Sequence, residues 1–217
     1  MQIDEALLDE VVRSGSAFLR LYSWDPPTLS IGRNQPAVYE GVPIVRRLTG
    51  GQAVWHEHEV TYAVAAPIAL FGSLRGAYRD IHTRLATALR SLGVDAILAL
   101  PPAVRPPGRP AACFAAPVGG EILVNGRKLV GSAQVRRGDA FLQHGSILLD
   151  GSQRRASPDT TETTLAITLG RVVPFEEVAA AIVDNWGEPL RPSGPFASLR
   201  TGSPADDHCF SSRAVKC

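Results

Sequence analysis

The feature that most constrains the fold is the Asn125-Gly126 pair, set between the apolar-rich segments 121–124 and 127–133. Asn-Gly takes the two positive-φ positions of a type I′ turn, whose twist matches that of the strands it joins. A two-residue turn at this place pairs Val124 with Arg127 and Leu123 with Lys128, so this part of the chain is committed to an antiparallel hairpin. Segment 141–149 reads as another strand and 60–66 as a further one. Segments 18–22 and 28–31 are strand-like on either side of Asp25-Pro26-Pro27, a pattern of sheet built from hairpins, and 42–47 and 52–54 flank the double glycine Gly50-Gly51.

Between these strands lie helical signals. Residues 3–13 carry an apolar stripe that starts beside acidic residues suited to a helix N-terminus. Residues 74–92 repeat apolar side chains at helical spacing and run into Gly93, a helix stop. Residues 175–186 form a helix introduced by Pro174, whereas 164–169 reads equally as a strand or as the start of a helix. Five prolines within 101–110 exclude that stretch from a sheet interior and make it a surface loop leading to Cys113. Beyond Gly187 the chain is rich in Pro, Gly and Ser and is expected to be a loosely structured tail.

A chain of 217 residues, 45% of them hydrophobic, is sized for one folded domain. With a net charge of +1 it has no long-range field for nucleic acid or an anionic membrane, so partners must be recognised locally. Asp4-Glu5 stands where a signal sequence would carry its apolar core, and a cytoplasmic protein is expected. No Cys/His spacing matches a tetrahedral zinc site. His56 and His58 would face one way on a strand, but no metal is expected.

Three places could carry chemistry. In Arg46-Arg47-Leu48-Thr49-Gly50-Gly51-Gln52-Ala53-Val54-Trp55-His56, the glycines either turn the chain or let backbone approach a ligand, and Arg47 and His56 bring charge there. Cys113 and Lys128 lie on the two sides of the hairpin. Lys128 is either a solvated hairpin lysine or an ammonium that lowers the thiol pKa and makes it a nucleophile. Gly131-Ser132-Ala133 is small enough to admit a ligand or to pack a sheet tightly, and His144 is either a satisfied core histidine or a base.

The stretch from Arg46 to His56, followed by Glu59-Val60-Thr61-Tyr62, resembles the signature of the biotin/lipoate protein ligase superfamily. More narrowly, Ala112-Cys113-Phe114-Ala115-Ala116-Pro117, the run from Gly126 to Gln134, and the run from Leu142 to Leu149 resemble the cysteine-dependent octanoyltransferases of lipoate assembly. The resemblance implies a single α/β (α+β type) catalytic domain over residues 1–187, with a mixed, largely antiparallel sheet flanked by helices. It implies that Cys113 is a nucleophile which takes octanoyl from acyl carrier protein and passes it to a lysine of a lipoyl domain, such as glycine cleavage H protein, without a cofactor. Lys128 then serves the oxyanion and the thiol, while Arg47, Gly50, Gly51, His56, Gly131, Ser132, Ala133 and His144 form the acyl pocket. An ATP-dependent lipoate ligase, an amidotransferase between lipoyl domains and a non-catalytic acyl- or carrier-binding paralogue are the alternatives. Val118-Gly119-Gly120-Glu121 stands where the family carries an aromatic Ser-x-Tyr-Glu segment.

Overall fold

A computed structural model of the chain describes residues 1–100, 120–157 and 160–187, together with the backbone of 212–216. In chain order these residues form α1 (Gln2–Ser14), β1 (Phe18–Tyr22), β2 (Thr28–Ile31), β3 (Ile44–Arg46), β4 (Val54–His56), β5 (Glu59–Pro67), α2 (Leu74–Ser91), β6 (Ile97–Leu98), β7 (Ile122–Val124), β8 (Arg127–Arg137), β9 (Ala140–Leu148), α3 (Leu165–Leu169), α4 (Phe175–Asn185) and β10 (Ser212–Lys216). The hairpin signal is realised directly. Asn125 and Gly126 take φ values of 50° and 73°, and Val124 pairs with Arg127 and Leu123 with Lys128.

The strands form two sheets. The larger has the order β10-β1-β5-β9-β8-β7-β6, and each neighbouring pair in it is antiparallel. The smaller has the order β3-β2-β4, with β2 parallel to β3 and antiparallel to β4. The mixed, largely antiparallel architecture flanked by helices is the one expected.

β5 shows how the sequence builds the core. Its side chains alternate in direction, so Val60, Tyr62, Val64 and Ala66 join Ile81, Leu85, Leu89 and Ile182 from α2 and α4. Ala63 and Ala65 point the other way and meet Leu8 and Val11 of α1. A strand covered on both sides has no polar face, which is why 62–66 reads as an apolar run. The Ser73 hydroxyl starts α2 by accepting from the Gly76 amide at 2.9 Å. The 164–169 ambiguity resolves as helix because the Thr164 hydroxyl caps it, accepting from the Ile167 amide at 3.2 Å.

Three expectations are corrected. β1 and β2 do not form a hairpin: β1 lies between β5 and β10 in the large sheet and β2 belongs to the small one. Asp25-Pro26-Pro27 therefore carries the chain between sheets, as suits two prolines that cannot donate to a ladder. The strands beside Gly50-Gly51 do not pair with each other either, because β2 is inserted between β3 and β4. Of the expected tail, residues 212–216 are not loose chain; their backbone forms β10, antiparallel to β1.

Candidate active site

Residues of both sheets line a cavity of about 330 Å³, part of it open to solvent. Arg47, His56, Gly131, Ser132, Ala133 and His144 all reach it. The sequence placed those six in one pocket, and the fold brings them together from four separate segments.

The basic pair beside the glycines is occupied with backbone. Arg47 Nη1 donates to Ser30 O at 2.9 Å and to Ser30 Oγ at 2.7 Å, and its Nη2 donates to Gly50 O at 3.2 Å and Gln52 O at 2.8 Å. Arg46 Nη1 donates to the carbonyls of Gly32, Arg33 and Gln35. Gly51 sits at φ 96°, and its carbonyl oxygen packs so close to Gly32 that a Cβ there would lie 2.0 Å away. Gly50 and Gly51 are not among the cavity-lining residues. In this fold they close the loop against β2 and hold Arg47.

His56 is buried with its ring stacked on Trp24, centroids 4.4 Å apart. Its Nδ1 lies 2.6 Å from Glu59 Oε1 and its Nε2 lies 2.6 Å from Ser30 Oγ. A carboxylate only accepts, so Nδ1 carries a proton toward Glu59, and Ser30 Oγ accepts from Arg47. Glu59 Oε1 also accepts from Thr61 Oγ1, and from Ser146 Oγ at 3.0 Å. Glu59 Oε2 is buried without a hydrogen-bond partner. His58, by contrast, is exposed and turned away from His56, with 61% of its side chain accessible, so the two do not form a pair.

His144, on β9, lines the same cavity. Its Nε2 is 2.7 Å from Thr49 Oγ1, and its Nδ1 is 3.7 Å from Asp4 Oδ2, a charge contact too long for a hydrogen bond. Burial holds the imidazole pKa below its ordinary value, more strongly than Asp4 raises it. Asp4 accepts from Arg20 Nη1 at 2.7 Å and from Tyr22 Oη at 3.0 Å. Burial alone would raise its carboxyl pKa, but His144 and Arg20 outweigh it and bring the value down to about 2.

On β8, Lys128 is not the solvated lysine of the bland reading. Its ammonium donates to Glu121 Oε1 at 2.5 Å, with 3% and 1% of the two side chains exposed. Lys128 is not a lining residue of the cavity itself. Four residues along, Ser132 Oγ lies 2.8 Å from His82 Nε2 and 2.6 Å from Tyr62 Oη. His82, on α2, bonds the Tyr78 carbonyl through Nδ1 at 2.8 Å. Burial chiefly, with the nearby Lys128 charge, lowers its pKa to about 4.

Cys113, the expected nucleophile, lies outside the described residues, as do Cys209 and Cys217. Sequence reading missed Ser30, Glu59, His82 and Glu121 as site residues. His82 left a signal: it interrupts the apolar stripe that Tyr78, Ile81, Leu85 and Leu89 make along α2. Ser30 left none, since a serine in a short strand has no pattern of its own.

A family model for the lipoyl protein ligase A/B catalytic domain matches residues 1–186, and the chain belongs to that family. Within it, the chain is similar to proteins named octanoyltransferase LipM. The one from Kyrpidia tusciae is 41% identical over 88% of this chain and 76% of that protein. Those from Carboxydothermus hydrogenoformans and Moorella thermoacetica are 43% and 47% identical over 69% of this chain, which spans 60% of their own lengths. Among solved structures, lipoate-protein ligase A bound with ATP superposes with a TM-score of 0.66 at 22% identity, covering 85% of this chain and 78% of that one. At that identity the likeness is one of fold.

Proposed function

We propose that this chain is an octanoyltransferase of protein lipoylation, working in the cytoplasm through a domain that spans residues 1–187. The observation that carries this reading is the 41% identity with a named octanoyltransferase over most of both chains. Acyl carrier protein is the donor and a lipoyl domain, such as glycine cleavage H protein, the acceptor. A structural neighbour, a bipartite lipoate protein ligase from Thermoplasma acidophilum, is described together with its E2 lipoyl domain. In the first step the Cys113 thiolate attacks the octanoyl thioester carbon; a carbon–sulfur bond forms to Cys113 and the one to the carrier breaks, and the carrier leaves as its thiolate, which takes up the proton that the Cys113 thiol gave up. In the second a lysine amine attacks the acyl-enzyme, forming the amide and returning the Cys113 thiol.

Both steps pass through a tetrahedral oxyanion, which a fixed positive charge stabilises when water is excluded. Lys128 fits that role: Glu121 holds a buried ammonium in place beside β8. Arg47 and His56 support a different role, that of pocket walls, because their donors and acceptors are engaged by protein. Incubation with octanoyl carrier protein is expected to add one octanoyl mass at Cys113, and addition of a lipoyl domain to remove it. Equal labelling of Cys113→Ser would sink the covalent mechanism. Modification of a lipoyl domain from free octanoate with ATP and magnesium would replace transfer by ligation.

A further inference from the structure

Most of the side chains that line the cavity are polar, yet the surface they present to it is mostly apolar. On the wall made by β4, β5 and β9 the lining residues are His56, Thr61 and Ser146. The reason for the apolar surface lies one layer behind that wall. Glu59 is buried and does not reach the cavity, and its Oε1 is the common acceptor of all three residues. The Thr61 hydroxyl donates to it, the Ser146 hydroxyl donates to it at 3.0 Å, and His56 Nδ1 lies 2.6 Å from it. A carboxylate oxygen only accepts, so the three protons are directed behind the wall. Trp24 Nε1 donates to Thr61 Oγ1 at 2.8 Å, which holds that hydroxyl from its other side.

What this wall turns to the cavity is therefore carbon, with its donors already spent. A hydrocarbon chain gives up nothing against it. A carbonyl oxygen along the chain would lose its water there and meet no donor, and a buried polar group left unmatched costs binding.

We propose that Glu59 is a specificity-determining residue: by withdrawing the donors of His56, Thr61 and Ser146 it selects a plain saturated acyl chain over one that carries an oxo group. The proposal rests on the acyl-transfer reading above, which supplies the chain. Glu59 touches no ligand and acts through its three neighbours, so it is a positioning residue. Without its carboxylate the two hydroxyls are free to rotate and offer their protons to the cavity.

The test is calorimetric binding of octanamide to the intact protein, set against oxo-octanamides that carry a ketone at successive positions along the chain. These amides have no thioester, so binding is read apart from transfer. Wild type is expected to hold octanamide roughly 10- to 100-fold more tightly than the oxo amides. In Glu59→Met the three donors lose their acceptor, and the gap is expected to narrow roughly 10-fold for at least one oxo position. Adding Thr61→Val and Ser146→Ala to Glu59→Met is expected to reopen it, a rescue that a purely structural role would not give. No gap in wild type, or an unchanged gap in folded Glu59→Met, would overturn the proposal. If Glu59→Met does not fold, Ser146→Ala alone decides: it is expected to keep the wild-type gap within roughly 3-fold, because its proton is already spent. A gap that widened beyond that would show the hydroxyl serving the cavity and would overturn the proposal as well. A wild type that shows the gap but never loads octanoyl from carrier protein would overturn the transfer reading, a separate result.

Discussion

The cavity has two unlike sides. On the side of β2 and β4, Arg47 donates to four acceptors and both nitrogens of His56 are engaged, with Ser30 between them. On the side of β8, Ser132 is held by Tyr62 and His82 and keeps one hydrogen-bonding valence open. A polar group whose valences are spent inside the protein contributes shape; one with a valence left over contributes recognition. The residues that look most chemical in the sequence, an arginine and a histidine beside paired glycines, are on the first side.

Removing Arg47 is the largest disturbance this difference predicts. Arg47→Met leaves the carbonyls of Ser30, Gly50 and Gln52 short of a donor, and several such buried losses together cost about 3–5 kcal/mol. Urea unfolding is expected to show that loss, with little octanoyl loading surviving near the new midpoint. If Arg47→Met unfolded like wild type yet failed to load octanoyl, Arg47 would be a ligand group and the two sides would not differ in kind.

The second side makes stability depend on pH. Unfolded histidine binds a proton below its model value of 6.5, whereas folded His82 does so only below about 4. The unfolded state therefore holds more protons in that window, and stability falls as pH drops from 6.5 to 4, by about 3 kcal/mol for such a separation. His144, also held down by burial, adds a loss of the same sign. Asp4 acts lower: its contribution is complete above 3.8 and disappears as pH falls through about 2. Denaturant titrations at pH 7, 5.5 and 4.5 are expected to give a steep decline for wild type and a shallower one for His82→Gln. Parallel declines would mean that His82 is not kept neutral.

A smaller effect is expected where the second side is built closest. Gly145 pairs with both Tyr62 and Ser132, and a Cβ there would lie 2.4 Å from Gly131 O and 2.6 Å from Ser132 Oγ. Backbone cannot yield as a side chain does, so Gly145→Ala is expected to cost about 1–3 kcal/mol. Urea unfolding of Gly145→Ala at the wild-type midpoint would show that the neighbouring backbone yields to the added Cβ.

These cases show which physics a sequence displays. The first two pairs of the hairpin at Asn125-Gly126 were legible because turn chemistry is local, though not the register shift between Ile122 and Leu123, and helix α2 was because its stripe is periodic. The split into two sheets was not, since nothing in Thr28–Ile31 says whether its partner is β1 or β4. Six pocket residues were found through motif resemblance, yet their division of labour was invisible. It depends on Glu59, Ser30 and His82, whose contacts span as many as 87 residues, in the case of Glu59 and Ser146. Charge was read as function at Arg47, where the fold uses it to bind carbonyls.

The smallest predicted effect lies within the double glycine, which reads as one feature and behaves as two. Gly51 needs its positive φ of 96°, so Gly51→Ala places a side chain in a backbone region that costs about 1–2 kcal/mol. Gly50 has no positive φ, and a Cβ there would meet nothing within 4 Å; its carbonyl, which accepts from Arg47, survives substitution. Gly50→Ala is therefore expected to stay within about 0.5 kcal/mol of wild type and to load octanoyl at the wild-type rate. Ligand access through Gly50 would instead appear as slowed loading in a protein of unchanged stability. Since the first side contributes shape through Arg47 and Gly51, that separation is the outcome it should not allow.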